Sequence, residues 1–332
     1  MQITDALTKL NLETYLQDFE KLLRESVAVD DDFLSEVSRH LMDAGGKRIR
    51  PVLAITSAAA GGAEINRNVL LSGIAVELVH LGSLYHDDVM DDASDRRNVE
   101  SVNFRWGNVI AIVAGDYLLA KAAGIAARLG QEIAELLSNT LAELCAGQIL
   151  EAHSSFSPTR TEDSYFKAIS GKTASLMATA CRIGALAANL DRNYIEIVTG
   201  VGRSLGMVFQ IRDDILDLVA TADVLGKAPA QDLLEGIYTL PVIEALKTPY
   251  RTELESLLTR SMDEASVDRA VKIILSSGGI ATAWRNAQHY AKLSRESAAQ
   301  LDSPIATELG MMAQFLLDNT FQVVQPYLEP PK

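Results

Sequence analysis

The sequence predicts an all-α protein, and three observations lead there. No proline falls between Pro51 and Pro158, or between Pro158 and Pro229. Those spans are rich in Ala, Leu, Ile and Glu, which suit a helix interior. Stretches alternating apolar and polar residues, the mark of a half-buried strand, are scarce. The chain has 332 residues and is 48% hydrophobic, enough for a sizeable core, and no low-complexity linker or composition break divides it. A single helical domain over 1–332 is the expectation.

Helices are expected at 14–26, 31–44 and 49–60, with Asp30–Asp32 capping the second. A carboxylate placed before a helix accepts its unpaired N–H groups. A long helix over 66–91 leads into an irregular connection, Asp92–Gly107, carrying Arg96, Arg97 and Arg105. Helices at 108–129 and 131–154 follow. The next, 161–170, opens on Thr161 with Glu162 and Asp163 in its first turn, where the helix dipole favours acids. Helices at 172–190 and 193–220 precede a second connection, Thr221–Tyr238, which contains Gly226, Lys227 and Asp232 and overlaps a helix expected over 231–247. The remaining helices are 250–261, 266–276, 279–300 and 304–325.

Composition excludes some functions. With 30 basic and 44 acidic residues the formal charge is −14. That disfavours nucleic acid and anionic membrane as electrostatic partners. The first ten residues lack the apolar core of a signal peptide, and Asp116 interrupts the best apolar run, so no transmembrane segment is expected. The expected location is the cytoplasm. Cys145 and Cys181 lie in apolar helical context and read as buried, reduced thiols.

Two acidic clusters carry the chemistry. The first is His86-Asp87-Asp88-Val89-Met90-Asp91, and the second is Gln210-Ile211-Arg212-Asp213-Asp214-Ile215-Leu216-Asp217. Both contain D-D-x-x-D within proline-free helical sequence. On a helix, residues four apart share a face, so Asp87 with Asp91, and Asp213 with Asp217, aim two carboxylates the same way. Like charges so placed repel unless a cation sits between them. Carboxylates without His or Cys partners suit hard ions, Mg²⁺ above all, which shares such ligands with substrate phosphates. Two such motifs facing each other across a cavity mouth imply ionisation of a diphosphate ester. The cation then stabilises the leaving group, and dry apolar walls protect the carbocation left behind. Gly45-Gly46-Lys47-Arg48-Ile49-Arg50-Pro51 is not a P-loop. Its glycines admit a ligand close to the backbone, and its three cations suit a second diphosphate bound without metal, unless they are a solvated turn.

These segments resemble the trans-prenyltransferases, the polyprenyl diphosphate synthases of the isoprenoid synthase fold. The resemblance rests on GGKRIRP (45–51), ELVHLGSLYHDDVMDDASDRR (77–97), GDYLL (115–119), GKTASL (171–176), GMVFQIRDDILD (206–217) and GKAPAQDLLEGIYTLP (226–241), in family order. It implies a large helical bundle around a deep apolar cavity. The implied reaction is the head-to-tail condensation of isopentenyl diphosphate with an allylic diphosphate, dependent on three Mg²⁺ ions. It assigns Asp87, Asp88, Asp91, Asp213, Asp214 and Asp217 to the metal. Lys47, Arg50, His80 and Arg97 fall to isopentenyl diphosphate; Arg96, Lys172, Thr173, Gln210 and Lys227 fall to the allylic diphosphate and its developing cation. His86 reads equally as a support for Asp87 or as a structural residue, and Phe209 as packing or as a wall facing the carbocation.

The chain departs from the family pattern at Asn98 and Ala230, where glycine is frequent, and at Ile237, where lysine is common. The resemblance also implies a homodimer, with transient membrane contact for product release. A terpene cyclase or squalene-type synthase on this fold needs no basic site at Gly45–Pro51 together with Arg97. A non-catalytic partner subunit usually has a damaged aspartate motif, and both are intact here.

Product length turns on the helix carrying Asp87. Gly82 and Ser83 are small where short-chain members of the family often carry aromatics, and Tyr85 should point away. Val79, Val76, Ala75 and Ser72 continue the line for about 22 Å from Asp87, room for a product of about C30–C50. The candidate opposing helix offers Ala122, Ala123 and Ala126. The alternatives are a farnesyl- or geranylgeranyl-length product, with the small residues serving only close helix packing.

Overall fold

The computed structural model describes residues 13–220 and 229–328. Sixteen α-helices run through these residues: α1 Glu13–Val27, α2 Asp32–Asp43, α3 Ile49–Ala60, α4 Arg67–Met90, α5 Val102–Trp106, α6 Asn108–Leu129, α7 Gln131–His153, α8 Glu162–Ile169, α9 Ser175–Ala187, α10 Arg192–Val219, α11 Gln231–Leu234, α12 Leu240–Ala245, α13 Arg251–Leu257, α14 Glu264–Ser276, α15 Gly279–Ala298 and α16 Pro304–Val324. Two-residue strands β1 Asp95–Arg96 and β2 Val99–Glu100 lie between α4 and α5. The expectation of an all-α protein is met. Two compact units make up the chain. The first takes in the described residues up to Leu141 with Leu176–Gly202 and Ala298–Leu309, and the second takes in the others.

In the first unit α4 is the central element. Val69, Ile74, Ala75, Val76, Leu78, Val79 and Leu81 are buried round its whole circumference, as befits a helix apolar on every side. Asn66 caps it, its side chain accepting from the N–H groups of Asn68 and Val69. α3 and α6 pack against it. The crossing with α6 is close: a β-carbon on Gly82 would lie 3.0 Å from the carbonyl oxygen of Gly115. Both α4 and α6 have the length and apolarity of a membrane span. α4, however, is mostly enclosed by its neighbours, as a core helix is. α6 buries Ala111, Ala114, Leu118, Ala122, Ile125 and Ala126 and exposes Val109, Ile112 and Val113.

The connection Asp92–Gly107 is more regular than its sequence suggested. Asp95 pairs with Glu100 and Arg96 with Val99 across a two-residue turn. Arg97 and Asn98 form that turn with φ of 57° and 62°, so both central residues are left-handed, as a type I′ hairpin requires. This accounts for the family's preference for glycine at position 98; Asn is the next best residue there.

In the second unit the helix expected over 231–247 is broken. Gly236 has φ 73°, and a β-carbon there would come within 2.5 Å of the Phe156 ring. Pro241 then sits in the first turn of α12, where its missing N–H costs nothing. Cys181 is buried as expected, and burial pushes its thiol up to about 12. Cys145 is exposed on α7, contrary to expectation: it falls on the outer side of that helix with Ala142, Ala146 and Ile149.

Candidate active site

Glycine geometry starts the basic site of the first unit. Gly45 and Gly46 have φ of 91° and 150°, and Arg48 at the N-cap of α3 is left-handed at 45°. This turn splits the three cations. Lys47 stays exposed. Arg48 points inward, where its Nε and Nη2 donate to Glu20 at 2.6 and 3.2 Å and its Nη1 donates to Glu77 at 3.0 Å. Its Nη2 also donates to the Met42 carbonyl. Arg48 therefore holds the loop down, a role its sequence did not reveal. Arg50 is pulled down to about 10 by burial and by Arg97, against the pull of Glu77. Its Nε is buried without a hydrogen-bond partner.

The β-hairpin delivers Arg97 to the same place. Its Nη1 donates to the carbonyls of Leu41, at 2.8 Å, and Gly45. His80 lies on α4 one turn after Glu77. Burial, then the charges of Arg50, Arg97, Arg96 and Arg48, hold its imidazole well below the usual range. It is neutral at pH 7 and able to donate one hydrogen bond without adding charge. Arg50, His80 and Arg97 thus come together, with Lys47 exposed on the turn before them.

The first aspartate motif ends the same helix. Asp87 is half-buried and Asp91, at the C-cap, is exposed, so both are accessible. Asp88 is fully buried. It accepts from Arg96 Nε at 2.7 Å and Nη2 at 2.6 Å, while its Oδ2 has no hydrogen-bond partner. Burial raises its carboxyl pKa and Arg96 opposes the rise. His86 turns to α6, its Nε2 3.1 Å from the Ile112 carbonyl and 3.4 Å from Asp116. That favours the structural alternative for His86. Tyr85 is buried and donates to the Val37 carbonyl at 2.7 Å, pointing into α2 as expected.

The second motif lies on the Arg203–Val219 part of α10. Asp214 is buried with both oxygens engaged: Tyr165 donates to Oδ2 at 2.6 Å and Gln210 Nε2 to Oδ1 at 2.8 Å. Thr173 donates to the other end of Gln210 at 2.7 Å. Burial raises the Asp214 carboxyl pKa, with Glu151 and Asp213 adding to the rise. Asp217 receives the N–H groups of Gln231 and Asp232 and so anchors the start of α11. Asp213 is more accessible and is paired with Arg212 at 2.9 Å. Lys172 and Thr173 sit on a π-helical turn, Ser170–Ala174, a device common at functional sites. Gly171 permits it, since a β-carbon there would lie 2.6 Å from the Glu143 carbonyl oxygen. Lys172 donates to Glu151 at 2.5 Å. Phe209 is half-buried, and Lys227 lies outside the described residues.

Glu20, Glu77, Glu151 and Tyr165 were missed, and Arg48, counted among three cations for a diphosphate, is instead engaged by Glu20 and Glu77. A signal existed for Glu77, a lone acid between Val76 and Leu78, but none for Tyr165. Among the described residues no three His, Cys, Asp or Glu side chains form a ready-made metal centre. The donor set nonetheless suits a hard cation. It is carboxylate throughout, Asp87 and Asp91 share an accessible helix end, and Asp88 keeps a buried oxygen unpaired.

The family profile described as Polyprenyl synthetase matches residues 31–274. The nonaprenyl diphosphate synthase of Mycobacterium tuberculosis is 36% identical over 323 residues, 96% of each chain. The geranylgeranyl diphosphate synthase of Methanosarcina mazei is 35% identical over 295 residues, 87% of this chain and 90% of that one. The crystal structure of a polyprenyl synthase from Caulobacter crescentus CB15, complexed with calcium and isoprenyl diphosphate, superposes with a TM-score of 0.88 at 29% identity, covering 95% of this chain and 97% of that one.

Proposed function

The chain belongs to the polyprenyl synthetase family, and from that premise we propose that it is a synthase joining isopentenyl diphosphate head to tail to an allylic diphosphate, giving a long all-trans polyprenyl diphosphate. One observation carries the reading. α4 presents His80, beside Arg50 and Arg97, and seven residues later, about 10 Å along the helix, Asp87. A single helix thus offers one anion site made of cations and one made of carboxylates. The first suits a diphosphate that stays intact, the second a diphosphate that must leave with a cation's help.

Lys47, Arg50 and Arg97 grip the diphosphate of the substrate that does not ionise, and neutral His80 donates to it. Asp87, Asp91 and Asp213 are the accessible carboxylates assigned to the metal. Asp88, Asp214 and Asp217 belong to the same motifs and brace them through Arg96, through Tyr165 with Gln210, and through the N-terminus of α11. Bound Mg²⁺ would supply positive charge to the departing diphosphate; calcium in the Caulobacter complex supports a divalent ion. Lys172 and Thr173 hold the π turn beside Glu151 and Gln210 and stand by the developing cation. After the alkene attacks, its proton goes to an oxygen of the released diphosphate. The exposed Val109, Ile112 and Val113 of α6 support a homodimer with this face covered by a second copy. In this reading the two units work as one synthase domain in the cytoplasm.

Incubating the purified chain with Mg²⁺, isopentenyl diphosphate and allylic primers, then resolving products by chromatography, tests the proposal. A ladder ending in a long-chain product is expected. No elongation with any primer would defeat it.

A further inference from the structure

Glu77 is 2% exposed, set in the apolar run of α4. A carboxylate buried there is expensive unless it is paired. Arg48 Nη1 meets it at 3.0 Å. Its charge also reaches Arg50 and Arg97, and in both it opposes the effect of burial. Glu20, partly exposed, takes the outer side of Arg48 at 2.6 Å. Arg48, Arg50 and Arg97 are therefore balanced only in part by these two acids, and Glu77 is the one buried beneath the cluster.

Resting on the reading of Lys47, Arg50 and Arg97 as a diphosphate site, we propose that Glu77 is a built-in counter-ion that sets how tightly this site holds a diphosphate. With the site empty, Glu77 stabilises the crowded arginines. With a diphosphate present, the same charge repels it. The functional consequence concerns turnover. Each condensation releases inorganic diphosphate, which an unopposed arginine cluster would hold in place of fresh substrate. Glu77 keeps the affinity low enough for exchange and acts as a positioning residue, touching Arg48 and not the substrate.

The test is binding of inorganic diphosphate by calorimetry to the full chain in EDTA, which removes any metal-dependent site. Wild type, Glu77→Gln and Arg50→Ala are compared, with thermal melts of each. Wild type should bind and Arg50→Ala should not, which locates the event. Glu77→Gln should melt at a lower temperature without ligand and yet bind about tenfold more tightly, equivalent to about 1.4 kcal/mol. With Mg²⁺ and both substrates it should show a lower KM for isopentenyl diphosphate and stronger inhibition by inorganic diphosphate. A purely structural Glu77 would predict weaker binding along with the lower melting temperature, and equal or weaker binding overturns the proposal. Failure of wild type to bind overturns the site assignment beneath it, and the proposal falls with it. If Glu77→Gln does not fold, Glu20→Gln takes its place. A tightening of a few-fold supports the idea, and none refutes it.

Discussion

A β-carbon added to Gly46 would lie 2.9 Å from Nη1 of Arg97. The hairpin arginine thus lies flat on the glycine backbone, held by the carbonyls of Leu41 and Gly45. Gly46→Ala should push that guanidinium aside and strain a backbone at φ 150°. Because Arg97 is assigned to a substrate that does not ionise, the loss should appear as binding. KM for isopentenyl diphosphate should rise about tenfold with kcat little changed. Steady-state kinetics with each substrate varied in turn will check this, and a larger effect on the allylic substrate would exchange the two sites.

Ala230 occupies the N-cap of α11 with φ 57° and ψ 31°, a conformation glycine adopts without penalty. Its N–H donates to the Asp217 carbonyl at 2.7 Å, so the backbone is fixed there. Ala230→Gly should stabilise the chain by about 0.5–1 kcal/mol, the left-handed strain relieved less the small methyl burial lost. A urea midpoint that rises with the slope unchanged will show it. A fall would mean that methyl packing outweighs the strain.

Position 230 also shows what the sequence could and could not say. At 98 and 230, where glycine is frequent in the family, the backbone proves left-handed, a conformation few residues other than glycine adopt comfortably. The long helices were legible from proline-free apolar sequence, and the caps at Asp31 and Thr161 from their side-chain chemistry. The break at Gly236 was not, because Phe156 enforces it from 80 positions away in the chain. Asp214 looked equivalent to Asp213, yet Tyr165 arrives from another helix to occupy it. Spacing on one helix gives direction, and only tertiary packing decides which carboxylate stays accessible. Ala123 fails for a similar reason: it is exposed on α6, whereas Ala122 and Ala126 are buried.

His80 gives a pH signature. Its folded pKa lies well below 6.5, through burial and four arginines, so the unfolded chain binds its proton first as pH falls. Its contribution to stability is fully present above about pH 6.5 and declines below it, by up to about 1.4 kcal/mol per pH unit until the folded pKa is reached. His80→Gln removes that slope. Denaturant unfolding of both proteins at pH 7.5 and 5.5 should show the variant losing less. Equal losses would mean that the imidazole is not held neutral.

Asp213→Ala and Asp214→Ala should fail differently. Asp213 is accessible and pairs with its neighbour Arg212, so its loss should cut turnover at saturating Mg²⁺ at least about a hundredfold and leave the melting temperature nearly unchanged. Asp214→Ala strands the Tyr165 hydroxyl and one N–H of Gln210 in a buried site and should also destabilise by about 2–4 kcal/mol. The same contrast holds for Asp87→Ala, which should lose activity with the fold intact. Circular-dichroism melts beside turnover separate the two effects, and an active Asp213→Ala would remove it from the metal assignment.

Ser83 is the residue assigned to product length. It is partly accessible, lies between His80 and Asp87 on one line of α4, and its hydroxyl turns back to the His80 carbonyl at 2.8 Å. Gly82 instead faces the α6 backbone, and Tyr85 is buried against α2. Of the two small positions, Ser83 is the accessible one, to which the reading gives the growing chain, while Gly82 serves the helix crossing. A phenylalanine at 83 places a ring about one turn from the ionising end, roughly 6 Å along the helix. Ser83→Phe should keep the first condensation and shift products from about C30–C50 to about C15–C20, since each isoprene unit adds several ångströms that the ring would block. Gly82→Phe should lose the fold, because the crossing leaves it no room. Chromatography of products from Ser83→Phe checks the assignment; an unchanged long-chain product would place the growing chain elsewhere, and a C15 product from wild type would show that no such path exists.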